Sequence, residues 1–216
     1  MPRPRSSRLD PERRQTLLAV AAEEFAEHGF DGASYNRILE RAGFSKGVAY
    51  YYFESKDDLY AAVMGEMLDA LARRFGAWEA PARAEAFWRT LRERYFAAVA
   101  FVMEDARSAR LLRGLSQARS HPKLQDTWGR FEGPLVAWFQ RVLEDGREVG
   151  AVRGDVPETL LLASLMGIGQ ATDGWLLEQW AGRGAAALEE GAEQVFSLFE
   201  DLLSPRPARK PAARKR

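Results

Sequence analysis

The chain has 216 residues, 46% of them hydrophobic, enough for one good-sized core or for a small domain joined to a larger one. It contains no cysteine, which excludes disulfides, thiolate nucleophiles and cysteine-ligated zinc or iron–sulfur sites, and is compatible with a reducing cytoplasm. Net charge is zero but unevenly spread: three arginines in the first eight residues and six Lys or Arg in the last thirteen, with no acid in either stretch, leave the body between them at about −9.

Residues 1–9 read as a basic flexible arm carrying Arg3, Arg5 and Arg8, with no apolar run behind them that would make a secretory signal. Asp10 as cap and Pro11 in the first turn then open a helix, with Leu17, Ala21, Ala22 and Phe25 along it. His28 falls at the C-terminal end of that helix, where a dipole and capping role suffices.

Residues 33–53 are the most informative stretch. Ser34 is placed to cap a helix over about Tyr35 to Arg41, whose apolar side is Ile38, Leu39 and Ala42. Gly43 ends it, since glycine reaches the left-handed conformation that a helix C-terminus commonly needs. Phe44 fills the corner, Ser45 caps the next helix, and Lys46 to Phe53 make it. Two helices joined by a three- or four-residue turn containing Gly form the helix-turn-helix pattern. At about 100° per residue, Ala49, Tyr52 and Phe53 share one face of the second helix and Gly47, Tyr50 and Tyr51 the other, with Lys46 and Val48 at the flanks. The first face is expected to pack and the second to show. An outward phenol donates to phosphate, Lys46 adds a cation, and Gly47 lets backbone approach closely. Ser55-Lys56-Asp57-Asp58 then reads as a capping box with Lys56 as a second phosphate ligand. On periodicity alone, a packed helical hairpin satisfies the same pattern.

The run Ser45-Lys46-Gly47-Val48-Ala49-Tyr50-Tyr51-Tyr52-Phe53, followed by Ser55-Lys56 and Leu59, resembles the signature of TetR-type transcriptional regulators. Leu17, Ala21, Ala22, Phe25, Gly29 and Phe30 resemble that family's first helix, and Ile38 with Ala42-Gly43 its second, so the resemblance covers about residues 10 to 70. It implies that Lys46, Tyr50 and Lys56 hold the phosphate backbone while Gly47, Val48 and Tyr51 lie near base edges. Tyr35 stands where the family usually has a threonine that touches phosphate, and Ala49 where a larger aliphatic residue is common, so a bulkier neighbour, Phe44 or Tyr52, is expected to fill that space. Val48 offers only methyl groups, so its base reading would be apolar.

From Ser55 onward the chain reads as helix after helix, over roughly 56–74, 82–103, 106–117, 122–149, 157–181 and 185–203, with Gly133-Pro134 a place to kink or split the fourth. The expected fold is all-α: a three-helix DNA-binding domain over 10–70 and a helical ligand-binding and dimerisation domain over 71–203. A disordered basic tail follows over 204–216. All six tryptophans lie beyond residue 70. Aromatics at helical spacing are most often core; the resemblance adds a cavity for a largely apolar effector, for which Phe101, Trp138 and Trp175 are the aromatic choices and Gln170 and Asp173 the polar ones. Leu160, Leu161, Ala163, Met166, Gly167 and Gln170 form one broad stripe, and the helix from Ala187 to Leu203 is apolar over more than one face. A second subunit would cover the surplus, giving a homodimer with a four-helix interface.

These expectations describe a DNA-binding transcriptional regulator working in the cytoplasm: a repressor released from a palindromic operator by a small, largely apolar effector. The arm's arginines would enter the minor groove or clamp phosphate. The alternative is a DNA-binding scaffold whose helical domain docks a protein. An enzyme has little support, because only His28 and His121 are present, and no metal-ligand cluster or phosphate-cradling loop accompanies them. No cofactor, metal or membrane partner is expected. The longest apolar run, around Leu160 to Ile168, is too short to span a bilayer.

Overall fold

The computed structural model describes residues 9–75, 77–104, 107–111, 124–183 and 185–206. The arm arginines Arg3, Arg5 and Arg8, the predicted helix beyond residue 111, His121, and the tail from Pro207 lie outside the described residues, as do the side chains of Trp128 and Trp180. The elements are α1 (Pro11–Gly32), α2 (Tyr35–Arg41), α3 (Lys46–Tyr52), α4 (Lys56–Phe75), α5 (Ala84–Glu104), α6 (Gln125–Glu148), α7 (Glu158–Arg183) and α8 (Ala185–Leu203). A further helical segment covers 107–111, and the described residues contain no strand.

Local chemistry sets the first four boundaries. Asp10 accepts from the Arg13 N–H at 3.1 Å and Pro11 takes the first helical position. Gly29, at φ 67°, interrupts α1 one turn before its end. Ser34 and Ser45 cap α2 and α3 by accepting from the Arg37 and Val48 N–H groups. Between them Gly43 adopts φ 69°, the Phe44 N–H reaches the Leu39 carbonyl at 2.9 Å and the Gly43 N–H that of Glu40 at 3.2 Å. That is a Schellman ending, with Phe44 and Leu39 buried in the same cluster. The Ser55 hydroxyl accepts from the Asp58 N–H, and the Asp58 carboxylate accepts in return from the Glu54 N–H, each at 3.1 Å, so the expected capping box is reciprocal but shifted by one residue on its return.

Three apolar clusters follow. The first joins Leu17, Leu18, Ala21 and Phe25 of α1 to Ile38, Leu39, Ala49, Phe53, Leu59, Tyr60 and Met64, and continues into Leu111 and Leu124, with Phe101 packed against it. The core of the N-terminal helices is therefore shared with residues well beyond 70. Ion pairs Arg14–Glu66 and Arg74–Glu104 tie α4 to α1 on one side and α5 on the other. The second cluster centres on Phe87, Val142, Leu143, Val152, Leu161 and Leu165, and the third on Leu176, Leu188, Ala192 and Val195 against Tyr95, Phe96 and Val99.

The helix is not split at Gly133-Pro134: α6 runs on through Pro134, although proline leaves the carbonyl one turn earlier without a helical donor. The single stripe expected on α7 also divides. Leu161 and Leu165 are buried, whereas Leu160, Ala163, Gly167 and Gln170 are exposed and Met166 is half-buried. Apolar and small residues are spread around this helix rather than gathered on one side, so spacing alone does not tell its inner face from its outer one.

Candidate nucleic-acid interface

The second helix of the pair, α3, is seven residues long and divides as its angular spacing predicts. Ala49 and Phe53 are 0% and 1% exposed, while Val48, Tyr50 and Tyr51 are 39%, 49% and 47% exposed. Lys46 and Gly47 are exposed as well, and a Cβ built on Gly47 would meet nothing within 4 Å. Lys46 makes no hydrogen bond or ion pair among the described residues, so its ammonium is open to an anion. Buried Phe44 packs in the cluster around the small Ala49, with Tyr52 half-buried against it.

Two expected phosphate ligands are engaged inside the protein. The Tyr35 hydroxyl donates to the Phe53 carbonyl at 2.7 Å, and its ring lies 5.4 Å from that of Tyr50. Burial first, then the neighbouring Tyr50 and Asp58, push the Tyr35 hydroxyl up to about 12, so the phenol keeps its proton. A phosphate oxygen only accepts, and that one proton is already given to Phe53. The Lys56 ammonium donates to the Asp31 and Ala33 carbonyls at 3.2 and 3.1 Å and lies 4.6 Å from the centre of the Phe30 ring. Two of its three protons close the end of α1.

The angle between α1 and the helix pair depends on a residue that motif reading passes over. Glu24 is 1% exposed. Its Oε1 accepts from the Ser34 N–H at 3.0 Å and from Arg37 at 3.1 Å, and its Oε2 lies 3.7 Å from Arg41. One carboxylate thus holds the capping residue and two arginines of α2 against α1. The signal was present: Glu24 follows Leu17 and Ala21 at helical spacing, on the stripe that packs.

The five effector residues do not come together. Phe101 packs on the first cluster, Trp138 on the second at 5.9 Å from Trp78, and Gln170 is exposed on α7. Trp175, also exposed, leans over Gly191 of α8. Asp173 acts with Glu193, after burial, to raise the hydroxyl of Tyr95 above the ordinary tyrosine value. Tyr95 itself, not singled out by spacing, touches Phe96, Phe196 and Phe199, and its buried hydroxyl has no hydrogen-bond partner among the described residues. A shallow depression of about 350 Å³ on α6 is lined by Ala137, Gln140, Arg141, Glu144 and Asp145, a polar setting unsuited to an apolar ligand. Among the described residues no group of three His, Asp or Glu could hold a metal ion, and no helix is long and apolar enough to cross a membrane.

A glycine-turned helix pair that buries Ala49 and Phe53 and presents Lys46, Val48, Tyr50 and Tyr51, joined to a larger helical body, has the geometry of a helix-turn-helix unit. Comparison with known proteins shows what these helices resemble. The sequence model of the bacterial regulatory proteins, tetR family, matches residues 17–63. The chain is 45% identical over 60 residues to the transcriptional activator FasR of Mycolicibacterium smegmatis, a stretch that is 28% of this chain and 27% of FasR. It therefore spans about a quarter of that relative's length. Against the transcriptional repressor AcnR of Corynebacterium efficiens the identity is 26% over 197 residues, 87% of this chain and 90% of AcnR. The crystal structure of Bacillus subtilis FadR in complex with stearoyl-CoA shares the fold at a TM-score of 0.68, with 18% identity, over 86% of this chain and 96% of FadR. Residues 17–63 thus resemble the DNA-binding part of the tetR family, and the whole chain shares the fold of structures described as TetR-family regulators.

Proposed function

We propose that the protein is a cytoplasmic repressor that binds a palindromic operator as a homodimer and leaves it when a small, largely apolar effector binds its helical body. The exposed face of α3 carries this reading: side chains as large as Tyr50 and Tyr51 stand in water on a helix whose other face is sealed. In the complex, Lys46 and Tyr50 hold phosphate, and Lys56 adds its remaining proton. Gly47, Val48 and Tyr51 face base edges. The likeness to AcnR over nearly its whole length favours repression.

Exposed Leu160 and Leu198 on α7 and α8 support the dimer, since a second copy would cover both. Two recognition helices would then meet successive major grooves about 34 Å apart. The effector is placed between α5, α7 and α8, where Tyr95 offers a buried, protonated hydroxyl among phenylalanines and Trp175 and Asp173 are close by. FadR's complex with stearoyl-CoA in a matching fold supports an apolar chain in such a body. An effector of this kind acts only through higher affinity for the off-DNA state.

Selection of bound fragments from genomic DNA tests the reading. The expected product is one inverted repeat with half-sites about one helical turn apart, released by a compound found in a screen. Fragments without a shared sequence would overturn it.

A further inference from the structure

Tyr35 occupies the first position of α2, and its hydrogen bond and its ring contact with Tyr50 both reach the recognition helix. Phe53 is the C-terminal cap of α3, so its carbonyl is one of the acceptors that a helix end leaves without an internal donor. The Tyr35 hydroxyl supplies that donor at 2.7 Å, and its ring is tilted 48° against the ring of Tyr50, one turn earlier on the same helix. A threonine at this place has no ring to set against Tyr50 and too short a side chain to span the same gap.

We propose that Tyr35 is a positioning residue for DNA recognition: it fixes the end of α3 and the ring of Tyr50 and makes no phosphate contact of its own. The proposal rests on the reading that α3 enters the groove. It separates Tyr35 from Lys46, whose ammonium is open, and it assigns to a bulky side chain in this protein a role opposite to the phosphate contact that the family resemblance implies. Recognition then depends on a contact inside the protein, so its loss blurs the placement of Tyr50 and of the base-facing Val48 and Tyr51 on the same helix, which costs the selected duplex more than a scrambled one and leaves the number of neutralised phosphates the same.

The test is fluorescence anisotropy on the duplex selected by the full-length wild type and on a scrambled duplex, at several salt concentrations. The proteins are wild type, Tyr35→Phe, Tyr50→Phe, the double variant, and Lys46→Ala as a ruler. Lys46→Ala should reduce the slope of log K against log salt by about 0.9, the loss of one phosphate contact. Tyr35→Phe should weaken the selected duplex about 5- to 10-fold, the loss of one hydrogen bond, with the slope unchanged and the scrambled duplex bound within about 2-fold of wild type. Retained scrambled binding shows that the variant is folded. The double variant should lose less than the product of the single losses, because both act on one ring. A slope reduced by about 0.9 in Tyr35→Phe makes it a phosphate ligand and overturns the proposal. So does unchanged affinity, or strict additivity with Tyr50→Phe. Wild type that does not prefer the selected duplex instead overturns the reading of α3.

Discussion

Replacing Glu24 with alanine should be among the most damaging single changes in the N-terminal helices. The carboxylate is 1% exposed and accepts from the Ser34 N–H at 3.0 Å and from Arg37 at 3.1 Å, with Arg41 3.7 Å away. Alanine strands a part-buried N–H, worth about 1–3 kcal/mol, and removes a charge-assisted hydrogen bond worth about 1.5–3 kcal/mol. Arg37 and Arg41 are themselves about half exposed, so water takes over much of their side of the loss. The sum is about 3 kcal/mol, a fall in Tm of roughly 6–12 °C for a chain of this size. Glu24→Gln keeps an acceptor for Ser34 and should cost about 1 kcal/mol. Urea unfolding followed by circular dichroism separates the two. Alanine within 1 kcal/mol of wild type, or glutamine as costly as alanine, would refute the idea that one carboxylate fixes α2 against α1.

Two further outcomes follow from packing. A Cβ at Gly146 would collide with Val152 and come within 2.7 Å of Phe87, so Gly146→Ala should lower stability by about 1–2 kcal/mol by overpacking, although alanine is the better helix former; thermal unfolding reads this. Tyr60 is 2% exposed with no partner for its hydroxyl among the described residues, so Tyr60→Phe should stabilise the protein at neutral pH by about 1 kcal/mol. Burial pushes the Tyr60 hydroxyl up to about 12 from an ordinary value of 10.0. A raised folded value means that wild type keeps its full stability below pH 10 and loses at most roughly 2.7 kcal/mol as pH rises through 10 to 12, a loss that the variant escapes, so its advantage grows across that window. Denaturation profiles of wild type and variant should therefore diverge across that window; parallel profiles would contradict the burial of the phenol.

What could be read from the sequence was local. Asp10-Pro11, Ser34, Gly43, Ser45 and Ser55 each act within four residues of themselves, and the start of every helix from α1 to α4 falls where they place it. The two faces of α3 were legible for the same reason: seven residues at a fixed angle leave Ala49 and Tyr51 no choice of side. The place of Glu24 on the packed stripe of α1 was legible too, but its role was not, because its partners Ser34, Arg37 and Arg41 stand ten or more residues away. Tyr35 and Lys56 were read as outward because the carbonyls they serve, on Phe53, Asp31 and Ala33, belong to other elements. The effector residues fared worst. Phe101 lies in the last turn of α5 and packs on the first cluster, and a helix with apolar residues spread around it, such as α7, does not announce which side faces its own core.

The central claim, that the open face of α3 reads DNA sequence, is tested most directly by comparing Lys46→Ala and Tyr51→Ala across a panel of duplexes that vary one base pair at a time in the selected site. Lys46→Ala should weaken every duplex by a similar factor, while Tyr51→Ala should flatten or change the preference at one or two positions in each half-site, where a lost base contact is worth about 1–3 kcal/mol. A Tyr51→Ala protein that keeps the wild-type ranking of the whole panel would contradict the claim.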